Sequence, residues 1–368
     1  MKKTRIICAL LSLALIFSAV CSLASCEKKS EVIMSMSDGE ISKSIDKSTY
    51  TFLLSRMRGT LDYYGYDVDD ASFWRTVISK DNRTWDDHFS DTIFEQTKLY
   101  LTIEYLFEKE GLTLDAERAE KVEKTISGMI AVKGSRAALN AELKAFGVNC
   151  DMLYDIYLTE QKFSQLITHL YGENGEKIDK TVKDKFFSEN YVAFGQIFLP
   201  TYTLVTGADG SESAEFFDAE KKAEVLALAK EYANSCSGRL ERFYEYSELY
   251  SGLDHSGEPT YLFVESEYYA MQSESAAYLD VIAETLSEMA VGECQVIAST
   301  YGYHVICRYE REDGAYDNEG YKESFSDFYA MLSDKLFDEK CESFTELITL
   351  SDNVTLPRIS SVATKKLY

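Results

Sequence analysis

The sequence predicts an α+β fold in which both chain ends build one helical module and a small antiparallel sheet with flanking helices is inserted between them. Three observations predict this layout. Apolar residues recur at helical spacing over residues 91–171, residues 291–308 have the pattern of a turn, a strand, a glycine hairpin and a strand, and a second helical pattern begins at residue 321. The helix that begins at residue 321 has an apolar face that must be buried. We therefore expect this C-terminal helix to pack on the N-terminal helices.

The first residues have the pattern of an export signal. Three basic residues precede an apolar run over residues 6–20, and small residues stand directly before Cys26. The run is too short for a spanning helix, so we interpret residues 1–25 as a signal peptide. The ending Leu-Ala-Ser-Cys resembles a bacterial lipobox, which implies a lipid on Cys26 and a mature chain at the outer face of the cytoplasmic membrane. An ordinary cleavage site is the alternative.

Two hydrophilic segments that contain glycine, 172–177 and 311–320, look like domain boundaries. We therefore predict six segments. They are the signal peptide (1–25), a polar tether (26–45), an N-terminal helical module (46–175), an inserted α+β domain (176–312), a C-terminal helix (313–356) and a tail (357–368).

Hydrophobic periodicity predicts the elements of each segment. Helical stripes separated by glycines occupy residues 91–109, 114–132, 135–146 and 152–171. The inserted domain is expected to hold a strand at 190–199, a helix at 218–233, a short helix at 243–251 and the closing strands. A single long amphipathic helix is expected from 321 to about 350. Aromatic stripes of this kind are more often core than binding surface.

The charge is strongly acidic. The formal net charge is −24, and removal of residues 1–25, which hold three positive charges and no negative ones, leaves about −27. This balance argues against nucleic acid and against adhesion to anionic lipid through protein charge, so any membrane contact is expected through the lipid anchor only. A solvated surface explains most of the acidity, and a preference for basic clients is the alternative.

Cysteine and histidine spacing indicates no metal site. Of eight cysteines, two leave with the signal and Cys26 would carry lipid, while the others show no CxxC spacing. Buried free thiols are favoured, and one cross-strand bond between Cys294 and Cys307 stays open. The four histidines show no HExxH or comparable spacing. We expect no metal and no cofactor.

The closing strands carry the most specific pattern of the chain. A Met-Ala-Val-Gly-Glu corner at 289–293 is followed by Thr-Tyr-Gly-Tyr-His-Val-Ile at 300–306, and His304 shares a strand face with Ile306 and Arg308. A lone histidine in such a place is more often a hydrogen-bonded core residue. The corner and strands resemble the parvulin-type peptidyl-prolyl isomerase domain, whose opening strand and helices also find counterparts here in the same order.

The whole layout resembles PrsA/SurA-type extracytoplasmic foldases, in which a parvulin domain is inserted into a helical chaperone module. The resemblance implies a lipid-anchored enzyme that isomerises X–Pro bonds and assists the folding of exported proteins. Its partners would be unfolded or newly exported polypeptides and proline-containing peptides. A homodimer through the helical module is left open.

The same resemblance implies a set of site residues. His304 matches the second of two family histidines, Gln196 stands where the first is usual, and Asp254 lies near an acidic or thiol position. Phe263 and Met271 stand where the family's groove has an aromatic residue and a methionine. Turn preference also explains Asp254, and core packing also explains the two groove residues.

Isomerisation of an X–Pro bond must overcome a barrier of roughly 18–20 kcal/mol that arises from amide resonance. An apolar groove and a hydrogen-bonded polar cluster suffice to bind the twisted state, with no nucleophile, metal or cofactor. Gln196 can donate and accept hydrogen bonds but cannot titrate near neutral pH. It could preserve the network or mark a domain that kept its fold and lost turnover.

Two function hypotheses follow. The first is a lipid-anchored peptidyl-prolyl isomerase. The second is a chaperone of the holdase kind, whose degenerate parvulin domain binds peptides or is structural. A solute-binding lipoprotein is a third hypothesis, but this sequence lacks the repeated α/β lobes expected of that class.

Overall fold

A computed structural model describes residues 30–207, 210–249, 260–264, 278–352 and 354–365. The chain divides into two compact units. The first combines the residues up to His169 with those from Phe337 onward, and the second is Leu170–Leu336. Both helices and small antiparallel sheets are present, and one unit is built from both chain ends. The predicted α+β class is confirmed.

The first unit consists of helices and one small sheet. Its described elements are β1 (Val32–Ser37), β2 (Ser42–Asp46), α1 (Lys47–Tyr63), α2 (Ala71–Arg75), α3 (Trp85–Lys109), α4 (Ala116–Lys133), α5 (Arg136–Leu143), most of α6 (Cys150–Tyr171) and β9 (Ile348–Leu350). Local chemistry sets several of the ends. The side chain of Asp46 accepts from Thr49 N to start α1, Thr84 and Asp87 form a capping box at the start of α3, and Gly134 ends α4 with φ +82°. The four predicted helices of this region are confirmed, although α3 begins six residues before the predicted start at residue 91.

The three strands of the first unit form an antiparallel sheet in the order β2-β1-β9. The sequence predicts a polar tether over 26–45, whereas β1 and nearly all of β2 lie in this range. Ile33, Met34 and Met36 are buried. Although the segment is polar on average, these three buried apolar side chains lie on β1, the central strand, where Met34 pairs with both Ile45 and Leu350.

The C-terminal helix is shorter than predicted. Instead of one helix over 321–350, short 3₁₀ turns lead into α11 (Phe328–Glu342), and residues 348–350 pair with β1 as a strand. Only the second half of α11 belongs to the first unit, where the ring of Phe337 lies 5.2 Å from that of Phe163. Phe328 and Leu332 are instead buried in the core of the second unit. Helical spacing did not distinguish these two environments, because apolar side chains suit either core.

The second unit holds the described elements α7 (Lys180–Asn190), β3 (Tyr191–Pro200), β4 (Tyr202–Thr206), β5 (Glu212–Phe216), α8 (Ala219–Cys236), α9 (Leu240–Leu249), β6 (Thr260–Phe263), α10 (Tyr278–Glu288), β7 (Cys294–Ala298) and β8 (Gly302–Tyr309), with the first half of α11. Its main sheet is antiparallel in the order β6-β3-β8-β7, and β4 with β5 forms a separate two-stranded sheet. The side chain of Asp218 accepts from Lys221 N to start α8. The predicted opening strand, two helices and closing strands are confirmed.

Alternation along the strands gives the main sheet two faces. One face buries Ala193, Val305 and Cys307 in a core shared with residues of α8. The other buries Val192, Ile306 and their neighbours in a core shared with residues of α10. His304 belongs to the second face by its place in β8, because it lies two residues from Ile306. We call this second face the His304 face.

Within the described residues, no helix combines the length and the apolar character needed to cross a membrane.

Candidate functional site

His304 lies near the start of β8 in the middle of the sheet. In register it is opposite Phe198 of β3 and Ile297 of β7, and its residue surface is only 4% exposed. Gly302, two residues before His304, explains the close pairing of β3 and β8 at this end of the sheet. A Cβ at Gly302 would lie 2.3 Å from the carbonyl oxygen of Leu199, so a larger residue would push the two strands apart.

The two ring nitrogens of His304 have different surroundings. Nε2 lies 2.9 Å from the hydroxyl of Ser299, in the turn between β7 and β8. The turn holds Ser299 in place, since its amide donates to Gly302 O and its hydroxyl accepts from Tyr301 N. Nδ1 is buried and has no hydrogen-bond partner among the residues that the structure describes. The imidazole is therefore oriented from one side only within this part of the chain.

Two aromatic rings lie against the imidazole. The ring centroid of Phe198 is 4.7 Å away, and that of Tyr278, the first residue of α10, is 5.1 Å away with the planes 19° apart. Burial disfavours the charged form and lowers the pKa of His304 to about 4. The side chain is therefore a neutral imidazole at pH 7, able to donate one hydrogen bond and accept another in apolar surroundings.

Gln196 lies on the His304 face but makes no bond to His304. It is half-buried on β3 and stands opposite Ile306, two residue pairs along the strands from the pair of Phe198 and His304. Nε2 of His304 contacts Ser299, and its Nδ1 has no described partner. The two predicted site residues are thus near neighbours on one face, without the direct network that the resemblance implies.

Phe263 lies on the opposite face of the sheet. On β6 it pairs with Tyr191 of β3, and the two ring centroids lie 5.3 Å apart. Its side chain is buried in the core that also holds Phe186. Its neighbour Leu262 is the one that belongs to the His304 face. Phe263 is therefore a core residue, and we remove it from the predicted site. The error is one of strand parity, since a shift of one residue exchanges the faces.

Three other predicted site residues, Asp254, Met271 and Cys26, lie outside the described residues.

Sequence reasoning missed Ser299, Phe198 and Tyr278. Ser299 could have been suspected, because a serine in the turn just before a strand can reach back along the hairpin. Phe198 follows only once β3 and β8 are aligned in register. Tyr278 lies far from His304 along the chain, and no local signal points to it.

An exposed aromatic cluster adjoins the turn that holds Ser299. Tyr202 of β4, Phe216 of β5 and Tyr301 have ring centroids 5.9–6.1 Å apart. Tyr301 is 51% exposed and Phe216 is 45% exposed. We call these three residues the aromatic cluster. Exposed apolar rings grouped in this way offer a contact surface for apolar parts of a polypeptide.

In the described part of the chain, no group of three or more His, Cys, Asp or Glu side chains is placed to hold a metal ion.

No family model and no curated protein matches the chain. Among solved structures it is similar to PrsA from Bacillus subtilis, with 17% identity over 74% of this chain and 92% of that chain and a TM-score of 0.22. For the foldase protein PrsA from Streptococcus pneumoniae the identity is 16% over 73% of this chain and 88% of that chain, with a TM-score of 0.27. For the foldase protein PrsA from Lactococcus lactis the identity is 10% over 88% of this chain and 96% of that chain, with a TM-score of 0.23.

All three structures bear the name of the foldase family that the sequence resembles.

Proposed function

We propose that the chain is a foldase that catalyses cis-trans isomerisation of X–Pro bonds in unfolded polypeptides, with His304 at the centre of its site. The observation that carries the proposal is the neutral imidazole of His304, oriented by Ser299 and set against the rings of Phe198 and Tyr278. This combination of an apolar wall and one oriented polar group matches what the reaction needs.

The reaction gains from such surroundings because the twisted imide differs from the planar one. Twisting removes the amide resonance that produces the barrier of roughly 18–20 kcal/mol and that makes the planar group strongly polar. An apolar site favours the less polar twisted state, and an oriented hydrogen-bonding group adds binding that is stronger in the twisted state. Both aid rotation without a covalent step.

The direct test is a protease-coupled assay with a short proline peptide and the full chain. We expect His304→Gln to lower kcat/KM by about tenfold or more, the scale of one lost transition-state contact. His169→Gln is the matched control, because His169 lies in the first unit and contacts Glu110. A folded wild-type chain with turnover equal to the uncatalysed rate would contradict the enzyme proposal.

A second candidate function is holdase activity, and the aromatic cluster is the observation that favours it. Phe216 and Tyr301 are exposed at the surface, and binding of an unfolded polypeptide to exposed rings requires no turnover. We expect the double variant Phe216→Ser/Tyr301→Ser to suppress the aggregation of an unfolded client less well than wild type. Its rate on a short proline peptide should change little. An unchanged suppression of aggregation would exclude the cluster as the binding surface.

Anchoring at Cys26 is part of the same proposal and rests on the lipobox-like ending Leu-Ala-Ser-Cys. Cells that produce the full chain would be labelled with a lipid precursor. We expect label on the wild type and none on Cys26→Ala, while Cys150→Ala should keep it. Label on the Cys26 variant would contradict the anchor.

A further inference from the structure

Cys294 and Cys307 face each other across neighbouring strands. They are directly opposite in the register of β7 and β8, and their sulfur atoms lie 2.6 Å apart. The amide of Arg308 donates to Glu293 O one position along, so the two cysteines occupy a non-hydrogen-bonded pair. In such pairs the side chains of antiparallel strands approach most closely. The backbone therefore brings the two thiols within reach of a bond.

The pair is enclosed by the second unit. Cys307 is fully buried and Cys294 is 8% exposed, and both belong to the core on the face opposite to His304. The hydrogen bond with Cys307, followed by burial, raises the pKa of Cys294. A scarce thiolate and little access make exchange slow once the sheet has closed. A bond between them would therefore form while the chain folds.

A third thiol lies in the same core and provides an internal comparison. Cys236, near the end of α8, is completely buried, and burial raises its pKa to about 12. It lies on a helix, so no strand register aligns it with either cysteine of the pair. The thiols of Cys236 and Cys294 interact electrostatically, and among the described residues the sulfur–sulfur hydrogen bond of Cys294 is to Cys307.

We propose that Cys294 and Cys307 become a cross-strand disulfide when the chain folds in the presence of an organic disulfide. One sulfur–sulfur bond forms between them and the sulfur–sulfur bond of the oxidant breaks. The two thiols lose two electrons and two protons, which leave on the two thiols released from the oxidant. The bond closes a loop over residues 295–306, which include Ser299 and His304. Because it restricts the unfolded chain, it stabilises the hairpin that carries the candidate site.

The test uses the full chain refolded in a mixture of oxidised and reduced glutathione. The protein is denatured and treated with N-ethylmaleimide, either directly or after reduction, and then digested with trypsin. Residues 243–308 form one tryptic fragment, because no Lys or Arg lies between Arg242 and Arg308. Cys294 and Cys307 are the two cysteines of this fragment. Cys236 lies in a separate fragment, 231–239.

We expect fragment 243–308 to carry no maleimide without prior reduction and two after it, while fragment 231–239 carries one in both arms. Two maleimides on fragment 243–308 without reduction would overturn the proposal. So would one maleimide, a bound glutathione, or a link to the fragment with Cys236.

Thermal melting gives a second readout. Wild type and Cys236→Ala, refolded with oxidised glutathione, should melt roughly 5 °C or more above the same proteins refolded with reductant. The double variant Cys294→Ala/Cys307→Ala should have the same melting temperature after refolding with oxidised glutathione and after refolding with reductant. If that variant does not fold, the fragment masses and the wild-type comparison decide. Equal wild-type melting temperatures would contradict the stabilising role.

Discussion

The hydroxyl of Ser299 lies 2.9 Å from Nε2 of His304, across the turn that joins β7 to β8. This contact connects a turn, a strand and a buried imidazole, and it is the only described hydrogen bond of that ring. The orientation of the ring therefore depends on a side chain that is itself held by the amide of Tyr301. Four predictions follow from this site and from the first unit.

Ser299→Ala should destabilise the chain by about 1–2 kcal/mol, because it leaves a buried ring nitrogen without its partner. Denaturant unfolding of the full chain measures the loss. Ser287→Ala is the control, since Ser287 is exposed on α10 and its hydroxyl donates to Glu284 O within the same helix. If both variants lose the same free energy, the contact with His304 contributes no specific stability.

Stability should fall as pH drops from about 6.5 to about 4, owing to His304. Its pKa is lowered from 6.5 to about 4 in the folded chain, so in this window the unfolded chain binds the proton more readily. The contribution is fully present above pH 6.5 and is lost as pH falls, with an upper bound of roughly 3 kcal/mol.

The measurement is the free energy of unfolding of wild type and of His304→Gln at pH 7 and pH 4.5. Carboxylates also titrate in this acidic chain, and the comparison removes their shared contribution. We expect the variant to lose less stability on acidification than wild type. Parallel losses would show that His304 does not carry the dependence.

Arg58→Met should destabilise the first unit by about 2–4 kcal/mol. The buried guanidinium donates to the carbonyl oxygens of Val68, Ser360 and Val362. The variant removes this donor from the oxygens of Ser360 and Val362, whereas Val68 O keeps its bond from Trp74 Nε1. Arg75→Met is the control, because Arg75 is exposed and donates to Ala71 O. Equal small effects in denaturant unfolding would contradict a clamping role for Arg58.

Two helix glycines should respond in opposite directions to alanine. A Cβ at Gly59 in α1 would lie 1.5 Å from the carbonyl oxygen of Lys365, so Gly59→Ala must displace that segment and should cost about 2 kcal/mol or more. Gly128 in α4 faces open space, so Gly128→Ala should stabilise by roughly 0.5–1 kcal/mol. Matching signs in thermal or denaturant unfolding would be the contradicting result.

Local pattern accounted for α3 to α6 of the first unit and for the opening and closing strands of the second, but not for α1 and α2. Periodicity and caps act within one turn or one strand, so α3, with its capping box at Thr84, is visible in the residues that form it. The same reasoning failed for β1, whose partner β9 lies more than 300 residues along the chain. β1 pairs on one side with its neighbour β2 and on the other with β9, and the second pairing has no local signal in the sequence.

The sequence by itself determined the α+β class, the opening and closing strands of the second unit and the place of His304 on a half-apolar strand, because these depend on neighbours in the chain. Only the tertiary structure decided which residues join His304. Register placed Phe198 opposite it and Phe263 on the other face, the turn brought Ser299 to Nε2, and α10 supplied Tyr278. A shift of one residue in pairing reverses every face of a strand, and that register is set by packing across the sheet.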